Sequence, residues 1–145
     1  MEVMINYWAV FGAVVVSVIL GVLWYGPFFG KQWMRTVGIS HEQMEEAKRK
    51  GMPGMWRTYA MMAVGTLLMA YVLAHVIAAF GESFDQSIGG IGVNAGLWMW
   101  IGFVAPVTLG NVLWEGRPWK YWFIVSGYYL VSLILMGIII TSDSF

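Results

Sequence analysis

The residues best placed for chemistry lie where the third apolar stretch of the sequence ends. Asn111 and Glu115 are spaced i,i+4, so a helix through both would carry an amide and a carboxylate on one face. Cations and indole rings are expected at the same depth, namely Arg57, Arg117, Lys120, Trp24, Trp56, Trp114 and Trp119. Such a set can bind a small polar ligand or a lipid headgroup, with the cations taking the phosphate. It can equally join the helix ends through an ion pair between Glu115 and an arginine, and the sequence leaves both interpretations open.

A second polar set is expected at the opposite ends of the apolar stretches. His75 lies about 27 Å from Arg57 along a helix that rises ~1.5 Å per residue, and Asn6 and Asn94 have a similar depth. These three side chains can form a polar cluster that opens outward and in which His75 titrates. The alternative is a neutral His75 that is hydrogen-bonded to a neighbouring helix.

The sequence contains no arrangement typical of catalysis or of a metal site. It has no cysteine, which excludes a thiolate nucleophile and a disulfide framework. It also has no Ser-His-Asp set, no His-x-x-x-His pair and no phosphate-binding glycine loop. We therefore expect no enzymatic activity, no cofactor and no metal. Eight basic residues balance eight acidic ones, so no basic excess favours nucleic acid.

The elements that must position these residues are helices that cross a membrane. Of the 145 residues, 59% are hydrophobic and only 11% are charged, which is far from the composition of a soluble domain. Four stretches have the roughly 20 mostly apolar residues that a bilayer-spanning helix needs, at about 5–25, 58–80, 91–113 and 120–141. The sequence therefore predicts a single all-α domain over 1–145 with four transmembrane helices. None carries Asp, Glu, Lys or Arg in its middle, which argues against ion-coupled transport.

The distribution of charge predicts the orientation of these helices. All eight cations lie in the first and third connections or at the helix ends beside them: Lys31, Arg35, Lys48, Arg49, Lys50, Arg57, Arg117 and Lys120. The opposite side carries only acidic residues: Glu2, Glu82, Asp85 and Asp143. Because positive charge is retained in the cytoplasm, we expect both termini and the 81–90 loop to face outward.

The first connection, residues 26–57, is long enough to contain structure of its own. Ser40 and Gln43 are spaced as a capping box, and Gly51 with Pro53 ends the pattern, so we expect a short cytoplasmic amphipathic helix over about 41–50.

The sequence also contains a short internal match. VLWYG at 22–26 and VLWEG at 112–116 agree at four of five positions. The match favours two tandem helical hairpins related by a pseudo-two-fold axis along the membrane normal. The alternative is that tryptophan recurs at membrane interfaces in any case.

Small residues recur at intervals of four in the first three stretches and predict close helix packing. They are Ala9, Ala13, Ser17 and Gly21, then Ala70, Ala74 and Ala78, then Gly92 and Gly96. We expect these stripes to build the bundle of one chain, with an interface between copies as the second use. Pro106 predicts a kink in the third helix because it cannot donate to the carbonyl of Gly102.

Three segments resemble a widespread bacterial family of small four-helix membrane proteins that is described as a domain of unknown function. They are residues 6–10 (NYWAV), 23–34 (LWYGPFFGKQWM) and 110–117 (GNVLWEGR), and the resemblance extends over essentially the whole chain. It implies a bacterial cytoplasmic (inner) membrane protein but no established activity, ligand or catalytic residue.

The function expected first is a homo-oligomeric membrane protein that provides a pathway or binding site for a small solute or ion. Four helices leave little room for a pore in one protomer, so a pathway would need several copies. The alternative is a non-transporting structural or accessory protein whose Trp/Arg belt binds membrane lipid or a partner protein. A lipid-modifying enzyme at the inner interface is a weaker third interpretation.

Overall fold

The computed structural model describes residues 4–84 and 89–142, which form an all-helical bundle without strands. We number the helices α1 (Tyr7–Leu23), α2 (Gly30–Val37), α3 (His41–Phe80), α4 (Ile91–Met99), α5 (Ala105–Leu113) and α6 (Trp119–Thr141). Four segments are long and apolar enough to cross a membrane: Tyr7–Phe28, Pro53–Ser83, Ile91–Leu113 and Trp119–Thr141. The predicted fold class and its four spans are thereby confirmed. Of the acidic residues expected on the outer side, Glu2, Asp85 and Asp143 lie outside the described residues.

Two of the four spans contain a π-helical turn, and each turn is associated with a proline. The first π turn, Trp24–Phe28, contains Pro27, and the second, Trp100–Val104, ends just before Pro106. Proline has no N–H for the carbonyl four residues earlier, so the α-helical hydrogen-bond pattern is interrupted there. The chain shifts to i,i+5 bonds instead, with Phe29 N donating to Trp24 O over 2.8 Å. The irregularity expected at Pro106 therefore takes the form of a π turn.

The short helix predicted over 41–50 is present as the first part of α3. Ser40 Oγ accepts from Gln43 N at 3.2 Å and Gln43 Oε1 accepts from Ser40 N at 3.0 Å, which is the predicted capping box. The helix is interrupted at Gly51, whose φ of 56° and ψ of −161° are accessible to glycine but strained for other residues. The part of α3 that is long and apolar enough to cross a membrane then begins at Pro53, where a proline needs no hydrogen-bond partner for its nitrogen.

Helix α6 is the centre of the bundle and contacts α1, α2, α3, α4 and α5, most extensively α4 and α1. The contact between α4 and α6 joins the two backbones directly. A Cβ atom at Gly92 would collide with the carbonyl of Gly137, and one at Gly96 would lie 2.6 Å from Leu133 O. Only glycine therefore permits this approach, as expected where apolar burial alone does not drive helix association.

The other predicted stripes also pack within the chain. Five of their members are buried, namely Ala9, Ala13 and Ser17 of α1 and Ala70 and Ala74 of α3, whereas Ala78 is exposed. The burial of α3 around Ala70 does not extend back toward Gly51: almost every residue over 56–68 is exposed. Helix α3 therefore contacts the bundle mainly in the half nearer Phe80.

Candidate functional site

The end of the bundle that contains the first π turn, α2 and the 114–118 turn is called the basic end here. Three indole N–H groups in this half donate hydrogen bonds to backbone carbonyls of another helix. They are Trp24 Nε1 to Ile124 O (3.0 Å), Trp100 Nε1 to Ser126 O (2.7 Å) and Trp122 Nε1 to Ala105 O (3.2 Å). Trp24 and Trp100 are the first residues of the two π turns. Each π turn is thus fixed to α6 by a directed hydrogen bond.

Aromatic contacts join α2 to the first π turn, and the π turn to α6. The Trp24 and Phe29 ring centroids lie 4.7 Å apart, and Tyr25 contacts Trp33 of α2 at 5.5 Å and Tyr128 of α6 at 5.3 Å. Helix α2 is amphipathic: its cations Lys31 and Arg35 are exposed, while most of its other side chains are partly buried. Its apolar side therefore faces the bundle and its charged side faces outward.

A groove lies between the first π turn, α2 and the beginning of α6. We call it the interfacial groove; its volume is about 320 Å³ and its lining consists of Trp24, Phe29, Gln32, Lys120, Phe123, Ile124 and Gly127. Within the described part of the chain, neither the Lys120 ammonium nor the Gln32 amide has a hydrogen-bond or ion-pair partner. A Cβ atom at Gly127 would lie 3.4 Å from Trp24 Cζ2, so this glycine keeps the groove open beside the indole ring.

Asn111 and Arg117 of the predicted inner set meet around a residue that sequence reasoning missed, Tyr121. Asn111 Nδ2 donates to the Tyr121 hydroxyl over 3.2 Å, and Arg117 Cζ lies 5.7 Å from the centroid of the Tyr121 ring. The Arg117 backbone N–H also donates to Asn111 O over 3.1 Å and closes the turn between α5 and α6.

The remaining members of the predicted inner set lie apart from these two places. Helix α5 ends at Leu113, so Glu115 lies in the turn and does not share a helix face with Asn111. It is exposed, and across residues 4–84 and 89–142 it forms no ion pair, so the arginine bond considered from the sequence is not formed. Trp114 is 89% exposed, and Arg57 stacks on Trp56 at 5.6 Å on α3.

The polar residues predicted at the opposite end each hydrogen-bond to the backbone of their own helix. Asn6 caps α1 by accepting from Trp8 N and Ala9 N at 3.0 and 3.3 Å, and the buried Asn94 donates to Gly90 O over 3.0 Å. His75 Nδ1 donates to Tyr71 O over 2.8 Å, one turn earlier in α3 rather than on a neighbouring helix. A joint cluster of Asn6, His75 and Asn94 therefore stays a prediction.

Three buried hydroxyls between α1 and α6 form a further polar contact that was not predicted. Ser17 Oγ lies 2.5 Å from Ser132 Oγ, and the Tyr128 hydroxyl donates to Ser17 O over 3.2 Å. Uncharged hydroxyls in an apolar stretch give little sequence signal; the only indication is the place of Ser17 in a small-residue stripe. The three join α1 to α6 and are followed along α6 by the buried apolar Leu133 and Met136.

The buried polar side chains of the described residues are satisfied within the protein, and these residues form no cluster of metal ligands. Every buried side-chain nitrogen or oxygen of the described residues has a hydrogen-bond partner. Within the same residues, no three His, Asp or Glu side chains come together as metal ligands would. A second groove, of about 560 Å³ on the outer surface of α1 and α6, is almost wholly apolar and is lined by Trp8, Ala9, Gly12, Val16 and Ile139. At the basic end, the Lys120 ammonium and the Gln32 amide have unused binding capacity among the described residues.

These features define a small all-helical membrane protein with four apolar spans and an amphipathic groove at one end. The family model described as "Protein of unknown function (DUF1761)" matches residues 8–141, and the chain belongs to this family. The resemblance noted in the sequence is thereby confirmed. No curated protein and no solved structure matches the chain.

Proposed function

We propose that this chain is a non-transporting accessory protein of the bacterial cytoplasmic membrane that binds membrane lipid at its basic end. The observation that carries the proposal is the fixed position of α2. Trp33 of α2 packs on Tyr25 of the first π turn with ring centroids 5.5 Å apart, Phe29 just before α2 lies 4.7 Å from Trp24, and the two cations of α2 are exposed. A short amphipathic helix with outward cations is suited to the headgroup layer of a membrane.

The tryptophans at this end support the same proposal. Trp56, Trp114 and Trp119 are exposed, and indole rings favour the depth at which headgroups meet acyl chains. Together with Arg57 and Arg117 they form the Trp/Arg belt through which the chain engages lipid.

The test is whether the purified protein retains phospholipid. After exchange into a detergent that strips loosely bound lipid, native mass spectrometry of the full chain is expected to show retained phospholipid, with anionic species enriched over their share of the membrane. A protein that carries no phospholipid under these conditions would contradict the proposal.

The rival proposal is a homo-oligomeric pathway for a small solute or ion, and it predicts a different result. Four helices leave little room for a pathway inside one protomer, so the conduit would have to lie between copies. Liposomes containing the protein would then show flux of an ion or metabolite that Asn111→Ala or Glu115→Ala reduces. Flux of this kind, together with an oligomer in cross-linking, would replace lipid binding as the function.

The proposed orientation places both termini outside and α2 in the cytoplasm. The chain has no cysteine, so single-cysteine variants give an unambiguous readout. Glu82→Cys is expected to react with a membrane-impermeant maleimide from outside whole cells, whereas Gln43→Cys is expected to react only after lysis. Both side chains are exposed, so access is limited by the membrane and not by burial. The reverse labelling pattern would overturn the orientation.

A further inference from the structure

We propose that the interfacial groove is the binding site for one anionic phospholipid, with the phosphate between Lys120 and Gln32. The glycerol and the first methylenes of an acyl chain then lie on the rings of Trp24, Phe29 and Phe123. This inference rests on the proposed lipid-binding function and adds to it the place on the protein and the class of lipid.

The polar rim of the groove selects an anion. Lys120 contributes a positive charge with three donors and Gln32 contributes an amide, and neither is engaged by another described residue. Of the residues lining the groove, none is acidic, so no carboxylate neutralises the lysine or binds a cationic headgroup. A lysine without an internal partner attracts phosphate, and the amide adds a neutral hydrogen bond to a second oxygen.

The remaining lining selects an amphiphile over a free ion. Five of the seven lining residues are aromatic, aliphatic or glycine, and they continue the groove from the two polar groups along α6. The Trp24 N–H is already committed to Ile124 O, so the indole offers the groove its apolar surface and no donor. A volume of about 320 Å³ accommodates a phosphate with its glycerol and a few methylenes, while the rest of the lipid stays in the bilayer.

The shape of the groove depends on a residue without a side chain. At Gly127, any side chain beyond Cβ would extend from a point already 3.4 Å from the Trp24 ring and would occupy the groove. A larger residue at position 127 would fill the groove without altering its charge. Substitution of Lys120 by a neutral residue would remove the charge without altering the apolar lining.

The experiment measures binding of phosphatidylglycerol and phosphatidylcholine to the full chain by native mass spectrometry from nanodiscs that contain equal amounts of both. Lys120→Gln is expected to lower the apparent affinity for phosphatidylglycerol about tenfold, which is the usual effect of losing one charge-assisted contact. Gly127→Leu is expected to lower this affinity as well, because the added side chain occupies the groove. Lys48→Gln removes an exposed cation outside the groove, and Gly65→Leu adds the same side chain where no atom lies within 4 Å, so both controls should bind as the wild type does.

The possible outcomes separate the groove from the broader function. If the wild type retains anionic lipid and both groove variants retain it equally, lipid binding stands and the groove is the wrong site. If the wild type retains no lipid, both proposals fail. If inorganic phosphate displaces the lipid and Gly127→Leu has no effect, the site binds free phosphate and the inference is overturned. If Gly127→Leu does not fold, Gly127→Ala replaces it, because it adds only the Cβ atom. Gly127→Ala is expected to lower the affinity for phosphatidylglycerol by less than Gly127→Leu would. Unchanged phosphatidylglycerol binding in both Gly127→Ala and Lys120→Gln would also refute the site.

Discussion

Replacement of Gly137 by alanine is expected to destabilise the contact between α4 and α6. The new Cβ atom would meet the backbone carbonyl of Gly92, and a backbone group cannot rotate away as a side chain can. The two helices would have to separate, and overpacking of this kind costs about 1–3 kcal/mol. Alanine favours a helix over glycine by up to ~1 kcal/mol, which offsets part of this cost. The free energy of unfolding should therefore fall by up to about 2 kcal/mol, because the steric cost outweighs the gain in helix propensity.

Gly65→Ala is the matched control for this prediction. Gly65 also lies in a membrane-spanning helix, but a Cβ atom there would have no neighbour within 4 Å. The substitution should leave stability unchanged or raise it by up to ~1 kcal/mol. Both variants can be compared by unfolding in mixed micelles with increasing SDS, followed by helical circular dichroism. Equal unfolding midpoints for Gly137→Ala and Gly65→Ala would refute the inferred backbone contact.

Two further substitutions test hydrogen bonds between helices. Trp24→Phe keeps an aromatic ring but removes the N–H that donates to Ile124 O. It should lower the free energy of unfolding by about 0.5–1.5 kcal/mol in the same assay and speed amide hydrogen exchange in α2. Trp114→Phe is the control and should change neither quantity, because Trp114 is exposed. Equal exchange in the two variants would contradict the idea that the indole bond positions α2. Ser17→Ala deprives the Ser132 hydroxyl of its partner on α1 and should cost ~0.6 kcal/mol, the average for a hydrogen bond between membrane helices; an unchanged midpoint would show that this bond adds nothing to stability.

The positions of the spans follow from the sequence because apolar length alone decides which segments can cross a bilayer. In the structure the corresponding apolar helical segment runs from Pro53 to Ser83, and the interruption of α3 at Gly51 lies just before it. Arg57, after which the sequence places the second span, lies inside this segment and stacks on Trp56. The membrane boundary within the segment stays a prediction.

The candidate site was predictable only where it depends on local sequence. Asn111 and Arg117 lie near each other in the chain, and the structure brings them together around Tyr121. Glu115 does not join them, because the i,i+4 relation holds only inside a helix and α5 ends at Leu113. The pairing of Trp24 with Ile124 depends on how two distant helices pack, and no spacing in the sequence encodes it.

The two tryptophans that the internal sequence match aligns do not make equivalent contacts in the structure. VLWYG and VLWEG align Trp24 with Trp114, yet Trp24 donates to α6 while Trp114 is 89% exposed. The residue that behaves as Trp24 does is Trp100, which also begins a π turn and also donates to an α6 carbonyl. The duplication of helical hairpins stays a prediction. If VLWYG and VLWEG have a common origin, their tryptophans no longer make the same contact.

The first π turn links this packing to the groove. The turn ends at Phe29, whose φ of −125° and ψ of 7° lie outside the α-helical region, so α2 begins at Gly30 as a separate helix and does not continue α1. The same turn begins with Trp24, whose N–H bond to Ile124 O fixes the turn to α6. Because α2 follows this fixed turn directly, Phe29 and Gln32 line one groove with Trp24 and Lys120. The interruption of the α-helical pattern at Pro27 therefore lies where the first apolar span ends and where the groove begins.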